Sequence, residues 1–282
     1  MLIEVSELEH QYNLDLAPDE YAIKDINFEI AAGEFIGVIG HTGSGKSTLV
    51  QTLNGLIEPT GGQVKVDGLN LTAAENLQNI HQEVGLVFQY PEHQLFEETV
   101  FKDVAFGPQN LGLDDEKIKA RVKYALELVN LDYQEFKDRS PFRLSGGQQR
   151  RVAIAGVLAM EPQILILDEP TAGLDPQMRQ QLITEIVELQ EEFSLTIILI
   201  SHRMEEIARL SDRVFVLDNG KLTLTGTPEE VFSNYEYLSE IGLGVPEITE
   251  VLHRVKAQGI DVDTNILTVD QAKNELLKAM RG

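Results

Sequence analysis

Hydrophobic and polar positions alternate along the chain in two different ways. In IEVSELEH, and at Ile26, Phe28 and Ile30, apolar residues alternate with polar ones, with one extra polar residue between Val5 and Leu8, which is typical of antiparallel strands with one exposed face. QVKVDGLNL adds another strand of this kind, with Asp67 and Gly68 at its turn. GEFIGVIG, QILILDEP and LTIILISH are instead short, continuous apolar runs, which indicate strands buried on both faces of a parallel sheet.

A helical pattern follows each of the continuous runs, and this order predicts a doubly wound α/β core with a parallel sheet. The alternating strands precede this core as an N-terminal antiparallel β subdomain. A charged helical region at about 92–158 interrupts the alternation and predicts an inserted helical subdomain. VFVLDNGKLTLTG predicts a hairpin that turns at Asn219 and Gly220.

The pattern changes near the end of the chain, so we predict a main domain at residues 1–240 and a small C-terminal helical extension at 241–282. After Pro246, one helix face carries four apolar side chains: Ile248, Val251, Leu252 and Val255. Thr268 and Gln271 predict a capping box. The helix behind that box carries Val269, Ala272, Leu276 and Met280. This apolar stripe either packs on its own domain or contacts another subunit, and the sequence leaves both interpretations open.

The composition excludes several classes of function. The chain has 282 residues with 46 acidic and 23 basic side chains, and its net charge of −23 opposes binding to nucleic acid or to an anionic bilayer. No cysteine is present, so disulfides and a thiol nucleophile are excluded. The N-terminus is acidic, unlike a secretory signal, and no apolar stretch approaches the roughly 20 residues needed to span a bilayer. We therefore expect a cytosolic chain without a nucleic-acid partner, held at a membrane only by partner subunits.

GHTGSGKST predicts a binding site for the phosphates of a nucleotide. It lies between an apolar strand and a helix, which is the context that makes the G-x-x-x-x-G-K-[ST] pattern specific. Glycines let backbone N–H groups converge on phosphate oxygens, and the helix N-terminus favours negative charge. We expect Lys46 to reach the β- and γ-phosphates and Ser47 to ligate Mg²⁺, so the predicted cofactors are ATP and Mg²⁺. The candidate binding residues are Gly40, His41, Thr42, Gly43, Ser44, Gly45, Lys46, Ser47 and Thr48. For His41, at a variable position of the pattern, we expect only exposure to solvent.

Two adjacent carboxylates end the apolar run ILILDEP. Successive residues of a strand point in opposite directions, so Asp168 and Glu169 are expected to contact different groups. Asp168 suits a water-mediated contact with Mg²⁺. Glu169 is placed to activate the water that attacks the γ-phosphate.

A third motif, RLSGGQQRR, places Ser145 and two glycines at the start of a helix. Gly-Gly is a poor helix start unless something approaches the backbone closely. With the phosphate loop, the carboxylate pair and this motif in one order, the chain resembles the ATP-binding cassette (ABC) ATPases. Further family motifs match Gln89 in VGLVFQYP, Asp175 in AGLDP and His202 in ILISHRM, and the resemblance covers about residues 1–230.

The resemblance implies the ABC nucleotide-binding fold of the P-loop NTPases. It implies four catalytic residues: Lys46, Gln89, Glu169 and His202. Family members use the matching glutamine to sense Mg²⁺ and the attacking water, so the implied metal contacts are Ser47, Gln89 and Asp168. The matching histidine of the family donates a hydrogen bond to the γ-phosphate.

The resemblance also implies a nucleotide shared between two chains. In the family, the LSGGQ segment meets the γ-phosphate bound to a different nucleotide-binding domain. The residues that would make this contact here are Ser145, Gly146, Gly147 and Gln148. Asp175 is a further implied nucleotide contact, and Tyr12 matches the aromatic that stacks on adenine, with Tyr21 as a close alternative. The lone chain is therefore expected to hydrolyse ATP poorly.

Phe88–Gly112 is similar to the ATPase subunits of energy-coupling factor transporters, and most like the second of their two ATPase types. This implies a heterodimer with a second homologous ATPase, an integral membrane coupling subunit and small membrane substrate-binding subunits. The chain would then lie at the cytoplasmic face of the cell membrane and drive uptake of vitamins or transition-metal ions. Phe96, Val100 and Phe101 are candidates for a groove that receives the coupling subunit, or are core side chains.

Three other functions remain as alternatives. The serious rival is the ATPase subunit of an ordinary ABC importer or exporter. A soluble ABC protein acting on DNA or ribosomes is opposed by the acidic charge and by the single cassette in the chain. The hypothesis of a P-loop kinase does not account for the LSGGQ segment or for His202.

Overall fold

An antiparallel sheet and a mostly parallel sheet lie at the centre of the computed structural model, which describes residues 1–12, 20–73 and 77–280. The strands of the antiparallel sheet are β1 (Ile3–His10), β2 (Ile23–Ile30), β4 (Gly61–Val66) and β5 (Leu69–Asn70). They lie in the order β2-β1-β4-β5, and each neighbouring pair runs antiparallel. The predicted N-terminal antiparallel β subdomain is thus confirmed.

The second sheet is the predicted parallel core. Its strands are β3 (Phe35–Ile39), β6 (Val84–Val87), β7 (Ile164–Asp168), β8 (Thr196–Ile200), β9 (Arg213–Asp218) and β10 (Lys221–Gly226). Their spatial order is β10-β9-β3-β8-β7-β6, and β10 pairs antiparallel with β9. The three continuous apolar runs form β3, β8 and β7, which are parallel neighbours. The loops that follow these strands therefore meet at one edge of the sheet, where doubly wound folds bind ligands.

Two separate cores cover the faces of this parallel sheet. Leu165 and Ile197 enter one core together with apolar side chains of the helical segment, such as Val104. Ile166 and Ile198 enter the other core, which they share with the antiparallel sheet. Because both faces are covered, every position of β3, β7 and β8 is buried and nearly every one is apolar, and the alternation seen in β1 and β2 is absent from them.

The helices fall into three groups along the chain. The first two are α1 (Lys46–Leu53) and α2 (Leu77–Glu83). The predicted insert holds α3 (Val100–Asn110), α4 (Asp115–Leu128), α5 (Tyr133–Phe136) and α6 (Gly146–Leu158), with 3₁₀ turns at Pro91–Gln94 and Pro141–Arg143. The remainder are α7 (Pro176–Phe193), α8 (Met204–Leu210), α9 (Pro228–Phe232), α10 (Tyr235–Glu240), α11 (Glu247–Ala257) and α12 (Val269–Ala279). The helices lie where the pattern places them, and the domain boundaries stay a prediction.

Both predicted two-residue turns adopt left-handed backbone conformations. Asp67 and Gly68 have φ of 46° and 75°, and Asn219 and Gly220 have φ of 47° and 76°. Positive φ at both central residues is the requirement of a type I′ hairpin, which Asp-Gly and Asn-Gly satisfy with least strain. These turns explain why the antiparallel pairs β4–β5 and β9–β10 form locally.

The C-terminal helices mostly pack against each other. Leu252, Val262 and Ala272 form a small core of their own, onto which Ile248 and Leu276 pack. Much of the predicted apolar stripe is thus covered within the chain itself, which agrees with the first of the two alternatives, and contact of the remainder with another subunit stays a prediction. Three of its members stay exposed: Val251, Val269 and Met280. The predicted capping box at the start of α12 is present.

The extension also contacts the main body of the chain. The backbone N–H of Glu247 donates to Glu205 Oε1 of α8 at 2.9 Å. Leu243, Val245 and Leu267 belong to the same core as the helical segment. Within the described ranges, no helix combines the length and the apolar character needed to cross a membrane.

Candidate nucleotide site

A cleft of about 490 Å³ lies at the sheet edge where β3, β7 and β8 end. Its lining residues are Tyr12, Ala22, Thr42, Gly43, Gly45, Lys46, Ser47, Thr48, Gln89, Glu169 and His202. Ten of these eleven are predicted site residues, brought together from five separate segments of the sequence. No sequence pattern indicated Ala22, because it lines the cleft only through its backbone, which lies close to the phosphate loop.

The phosphate loop connects β3 to α1 in a shape that only glycine tolerates at two points. Gly45 has φ of +100°, and a Cβ there would lie 2.6 Å from the carbonyl oxygen of Ala22. A Cβ at Gly40 would lie 2.3 Å from Ser44 Oγ. Gly45 is also the N-cap of α1 and provides no side-chain cap. The first N–H groups of α1 are thus available to an anion that enters the cleft.

Lys46 lies folded over the loop that precedes it. Its Nζ donates to the carbonyl oxygens of Gly40 at 2.7 Å and His41 at 2.9 Å. An ammonium group carries three N–H donors, so one donor remains for a ligand beyond these two contacts. Burial lowers the pKa of Lys46, although the charges of Glu169 and Asp168 oppose this change. Negative phosphate groups in the cleft would favour the charged lysine further.

The two adjacent carboxylates have different partners, as their strand positions predict. Asp168 Oδ2 accepts a hydrogen bond of 3.2 Å from Ser47 Oγ. Glu169 has φ of 49°, and this left-handed turn directs its side chain to the other side of the cleft. There, Glu169 Oε2 accepts from Gln89 Nε2 at 2.8 Å, and Oε1 lies 2.8 Å from His202 Nε2. The arrangement separates a hydroxyl–carboxylate pair from a glutamate held by two polar side chains.

The residues present fit Mg²⁺ bound together with a nucleotide. In the described ranges, no group of three or more His, Cys, Asp or Glu side chains is placed to hold a metal by itself. Mg²⁺ in nucleotide sites takes one or two protein ligands and fills the rest with phosphates and water. Ser47 and Asp168 supply a hydroxyl and a carboxylate in contact with each other. This donor set suits a cation that arrives with phosphates.

Tyr12 lies at the mouth of the cleft with its ring 60% exposed. Its hydroxyl is 3.0 Å from Thr48 Oγ1, and its ring makes an edge contact with His10 at 4.6 Å. Tyr21 instead stacks under the Lys24 ammonium at 4.1 Å. An exposed aromatic face at the cleft therefore belongs to Tyr12, and its contact with adenine stays a prediction.

Two residues of the phosphate loop differ from their expected positions. His41 is not simply exposed: its Nε2 lies 3.0 Å from Asp218 Oδ1, at the β9–β10 turn, and its Nδ1 lies 2.8 Å from the Thr42 carbonyl. Ser44 is fully buried beneath the loop, where its carbonyl accepts from Gly220 N–H. The His41 side chain therefore contacts the β9–β10 turn and the Ser44 side chain is enclosed, so we expect both residues to contact phosphate only through their backbones.

The LSGGQ segment, whose residues Ser145, Gly146, Gly147 and Gln148 are called the signature residues, does not line this cleft. Ser145 caps α6 in a capping box with Gln148. Among the residues in the described ranges, none outside its own turn of α6 lies within 4 Å of the position of a Cβ at Gly146, whereas a Cβ at Gly147 would lie 2.9 Å from Met178 Cε. Asp175 caps α7 by accepting from the N–H groups of Gln177 and Met178. Within one chain, these residues form a second, open surface apart from the phosphate loop.

Burial raises the pKa of Asp168, and the neighbouring Glu169 charge adds to this rise, while the Ser47 hydrogen bond opposes it. Above the ordinary pKa of 3.8, the unfolded chain has lost the proton that the folded chain retains, so stability falls as pH rises through this window. We expect Asp168→Asn to raise the Tm of the nucleotide-free chain at neutral pH and to weaken the dependence of Tm on pH.

This prediction is checked by thermal unfolding across the acidic-to-neutral range, with and without Mg²⁺ and ATP. Asp168→Asn is also expected to lose the part of the ATP-induced stabilisation that depends on Mg²⁺. Asp138→Asn is the matched control, because its carboxylate is 86% exposed. A lower Tm for nucleotide-free Asp168→Asn than for the unchanged protein would contradict the prediction.

Comparison with known proteins places this site in a family. The family model described as ABC transporter matches residues 23–172. A solved structure described as cbiO1 from Clostridium perfringens, part of the ABC transporter complex cbiONQ, is similar with a TM-score of 0.74. It is 38% identical, over 89% of this chain and 98% of that chain. An ATP-binding cassette in a dimeric post-hydrolysis state with ADP and Pi has a TM-score of 0.70 and 28% identity, over 80% of this chain and 98% of that chain.

The chain belongs to the ABC transporter family, and the predicted ATPase class and fold are thereby confirmed. Its full-length relatives carry a more specific name. An energy-coupling factor transporter ATP-binding protein EcfA2 from Clostridium tetani is 52% identical over 99% of this chain and 97% of that protein. The protein of the same name from Enterococcus faecalis is 46% identical over 100% of this chain and 98% of that protein. These relatives confirm the resemblance to the ATPase subunits of energy-coupling factor transporters that the sequence analysis stated.

Proposed function

We propose that this chain is the ATP-hydrolysing subunit of an energy-coupling factor transporter that drives uptake of vitamins or transition-metal ions. The observation that carries this proposal is the identity of about half of all residues, along the whole chain, with relatives of that name. The cleft supplies the matching chemistry. The chain would lie at the cytoplasmic face of the cell membrane as a peripheral subunit.

The proposed reaction is the hydrolysis of ATP to ADP and phosphate. The water oxygen forms a bond to the γ-phosphorus, the bond from this phosphorus to the bridging oxygen breaks, and Glu169 accepts the proton of the water. Gln89 and His202 contact the two carboxylate oxygens of Glu169 at 2.8 Å each, and these contacts orient the carboxylate. Mg²⁺ would neutralise phosphate charge, held by Ser47 and Asp168 with Gln89 nearby.

The proposal includes a second, homologous ATPase chain. The signature residues at the start of α6 do not line the cleft of the chain's own phosphate loop, and in the described part of the chain the space above Gly146 is open. A phosphate group of a nucleotide on another chain would find there the free N–H groups and the positive end of α6. We propose a heterodimer in which each chain completes the site of the other.

The integral membrane coupling subunit is proposed to dock in an apolar cleft of about 760 Å³. Residues of α2, β6, α3 and α6 line this cleft. Phe96 and Phe106 stand at this cleft in edge-to-face contact, 57% and 46% exposed. Val100 is fully buried and Phe101 packs against the core, so of the two alternatives for these residues the structure supports core side chains. A helix of the coupling subunit that inserts apolar side chains would cover the exposed pair. The small substrate-binding subunits would join through that coupling subunit.

Replacing Phe96 with aspartate is expected to weaken binding to the membrane complex by about 30-fold or more, since a buried anchor would become an unpaired charge (about 2 kcal/mol or more). ATP binding by the lone chain should stay unchanged. Co-purification from membranes and ATP titration measure the two quantities. Phe193→Asp is the matched control, because Phe193 is 36% exposed and lines a different cavity. Equal loss of binding in both variants would contradict the assignment of the cleft.

The proposed function as a whole is tested by isolating the membrane complex and identifying every chain in it. We expect this chain, a second ATPase, one integral coupling subunit and small membrane proteins that bind a vitamin or a metal ion. A complex with a periplasmic-type receptor and no such small subunits would instead indicate an ordinary ABC importer.

A further inference from the structure

Arg150 lies two residues beyond the signature pentapeptide, and it is 3% exposed. Its Nε and Nη2 donate to the two carboxylate oxygens of Glu92, each at 3.1 Å. Its Nη1 donates to the carbonyl oxygens of Pro170 at 2.9 Å and Ala172 at 3.0 Å. A buried charge of this kind is stable only when such partners surround it, and this guanidinium has both a bidentate carboxylate and two carbonyls.

The three segments that meet at Arg150 carry three different parts of the proposed site. Arg150 itself belongs to the first turns of α6, which present the signature residues. Glu92 lies in the 3₁₀ turn directly after Gln89. Pro170 and Ala172 belong to the loop that begins at Glu169 and ends at Asp175, the cap of α7.

These contacts are not what the fold needs to hold α6. Apolar side chains of that helix already enter the larger core, among them Val152, Ile154 and Leu158. The Arg150 side chain instead extends to two loops, the one that carries Glu92 and the one that follows Glu169. A shift of α6 relative to the core would therefore break hydrogen bonds to both loops together.

We propose that Arg150 is a positioning residue that couples the signature helix to the loop carrying Glu169. This inference rests on the proposed function, because it assigns the coupling between the two halves of that ATPase site. One chain's Glu169 acts on the nucleotide in its own cleft, whereas its signature serves the nucleotide of the partner. Arg150 thus links the two nucleotide sites through one buried side chain.

The test uses conservative variants, since Arg150→Ala leaves Glu92 partly buried without its counter-ion and is expected to destabilise the chain. Lysine at 150 keeps the charge but cannot make the bidentate contact and both carbonyl contacts together. We expect Arg150→Lys in the assembled complex to lower kcat by roughly 10- to 100-fold, the size expected when a reacting group is displaced by about 1 Å. The ATP Kd of the lone variant chain should stay within about twofold of the unchanged protein, because Arg150 does not line the cleft.

Glu92→Gln and the double variant complete the cycle. If the two residues act as one unit, the double variant should be no slower than Arg150→Lys alone. Arg139→Lys is the matched control, because Arg139 bonds Glu135 in the same helical segment but on the exposed surface. Assays run well below the Tm of every variant separate positioning from loss of folded protein.

The wild-type complex in the same assay tests the proposed function, and the ratio of variant to wild type tests the role of Arg150. A kcat for Arg150→Lys within twofold of wild type would overturn the inference. So would strictly multiplicative losses from the two single variants, or a loss of ATP affinity in the lone chain that equals the loss of kcat.

Discussion

Replacement of Glu169 by glutamine is expected to lower ATP turnover of the assembled complex by about 10²- to 10⁴-fold, the usual contribution of a general base. The amide has the shape of the carboxylate and retains hydrogen-bonding capacity toward Gln89 and His202, which flank Glu169 at 2.8 Å. It cannot accept the proton of the attacking water. Folding and ATP binding should therefore survive while the chemical step fails.

Phosphate release by the purified complex measures this loss, and an ATP titration of the same sample measures binding. Glu188→Gln provides the matched control, because Glu188 lies on an exposed position of α7. Turnover by Glu169→Gln within tenfold of the unchanged complex would show that another group takes the proton.

The second large effect is expected at Gly146. Apart from its chain neighbours and its own helix backbone, no atom of the described residues lies within 4 Å of a Cβ at this position, so Gly146→Leu should fold and bind ATP in its own cleft as the unchanged chain does. The leucine side chain would fill the space in which the partner's nucleotide approaches the N–H groups of α6. We expect turnover of the complex to fall by about 10²-fold or more, as for the loss of a backbone donor to a reacting phosphate or carbonyl.

Gly244→Leu is the matched control for this variant. Gly244 also has open space around a Cβ, and it lies between α10 and α11, away from the signature. Steady-state turnover of the complex and the ATP Kd of the lone chain are measured for both variants. Full activity of Gly146→Leu would mean that no nucleotide approaches this helix.

The nucleotide cleft was largely predictable from the sequence because its parts follow local rules. The phosphate loop needs glycines where φ is positive, as at Gly45, and a lysine directly after them. Asp168 ends the otherwise apolar strand β7, Glu169 follows it directly, and His202 lies two residues beyond the mostly apolar strand β8. Since parallel neighbours end at the same sheet edge, the sequence places these groups together without knowledge of any long-range contact.

The supporting contacts were not predictable, because they join residues far apart in the chain. The His41–Asp218 contact spans 177 residues, and the Arg150–Glu92 pair spans 58. From the sequence alone, His41 and Arg150 are both expected to be surface residues, since no pattern indicates which distant carboxylate will lie beside each of them. The same reason explains Val100: its apolar character was clear, but burial in the core depended on the packing of α3.

The C-terminal stripe shows a related limit. Amphipathic helices reveal which face is apolar, but not which surface covers it. In this chain α11 and α12 cover much of that face themselves through Leu252 and Ala272. The exposed remainder, at Val251, Val269 and Met280, is too small and scattered for the pattern to specify a partner.

The central claim is that each ATP is enclosed by two chains, and specific activity measured against oligomeric state tests it most directly. The purified chain is diluted until sedimentation shows monomers, and phosphate release per chain is recorded before and after the partner subunits are added. We predict ATP binding with almost no turnover in the monomer and a large rise on assembly. Full-speed turnover by the monomer, independent of dilution and of added partners, would contradict the account.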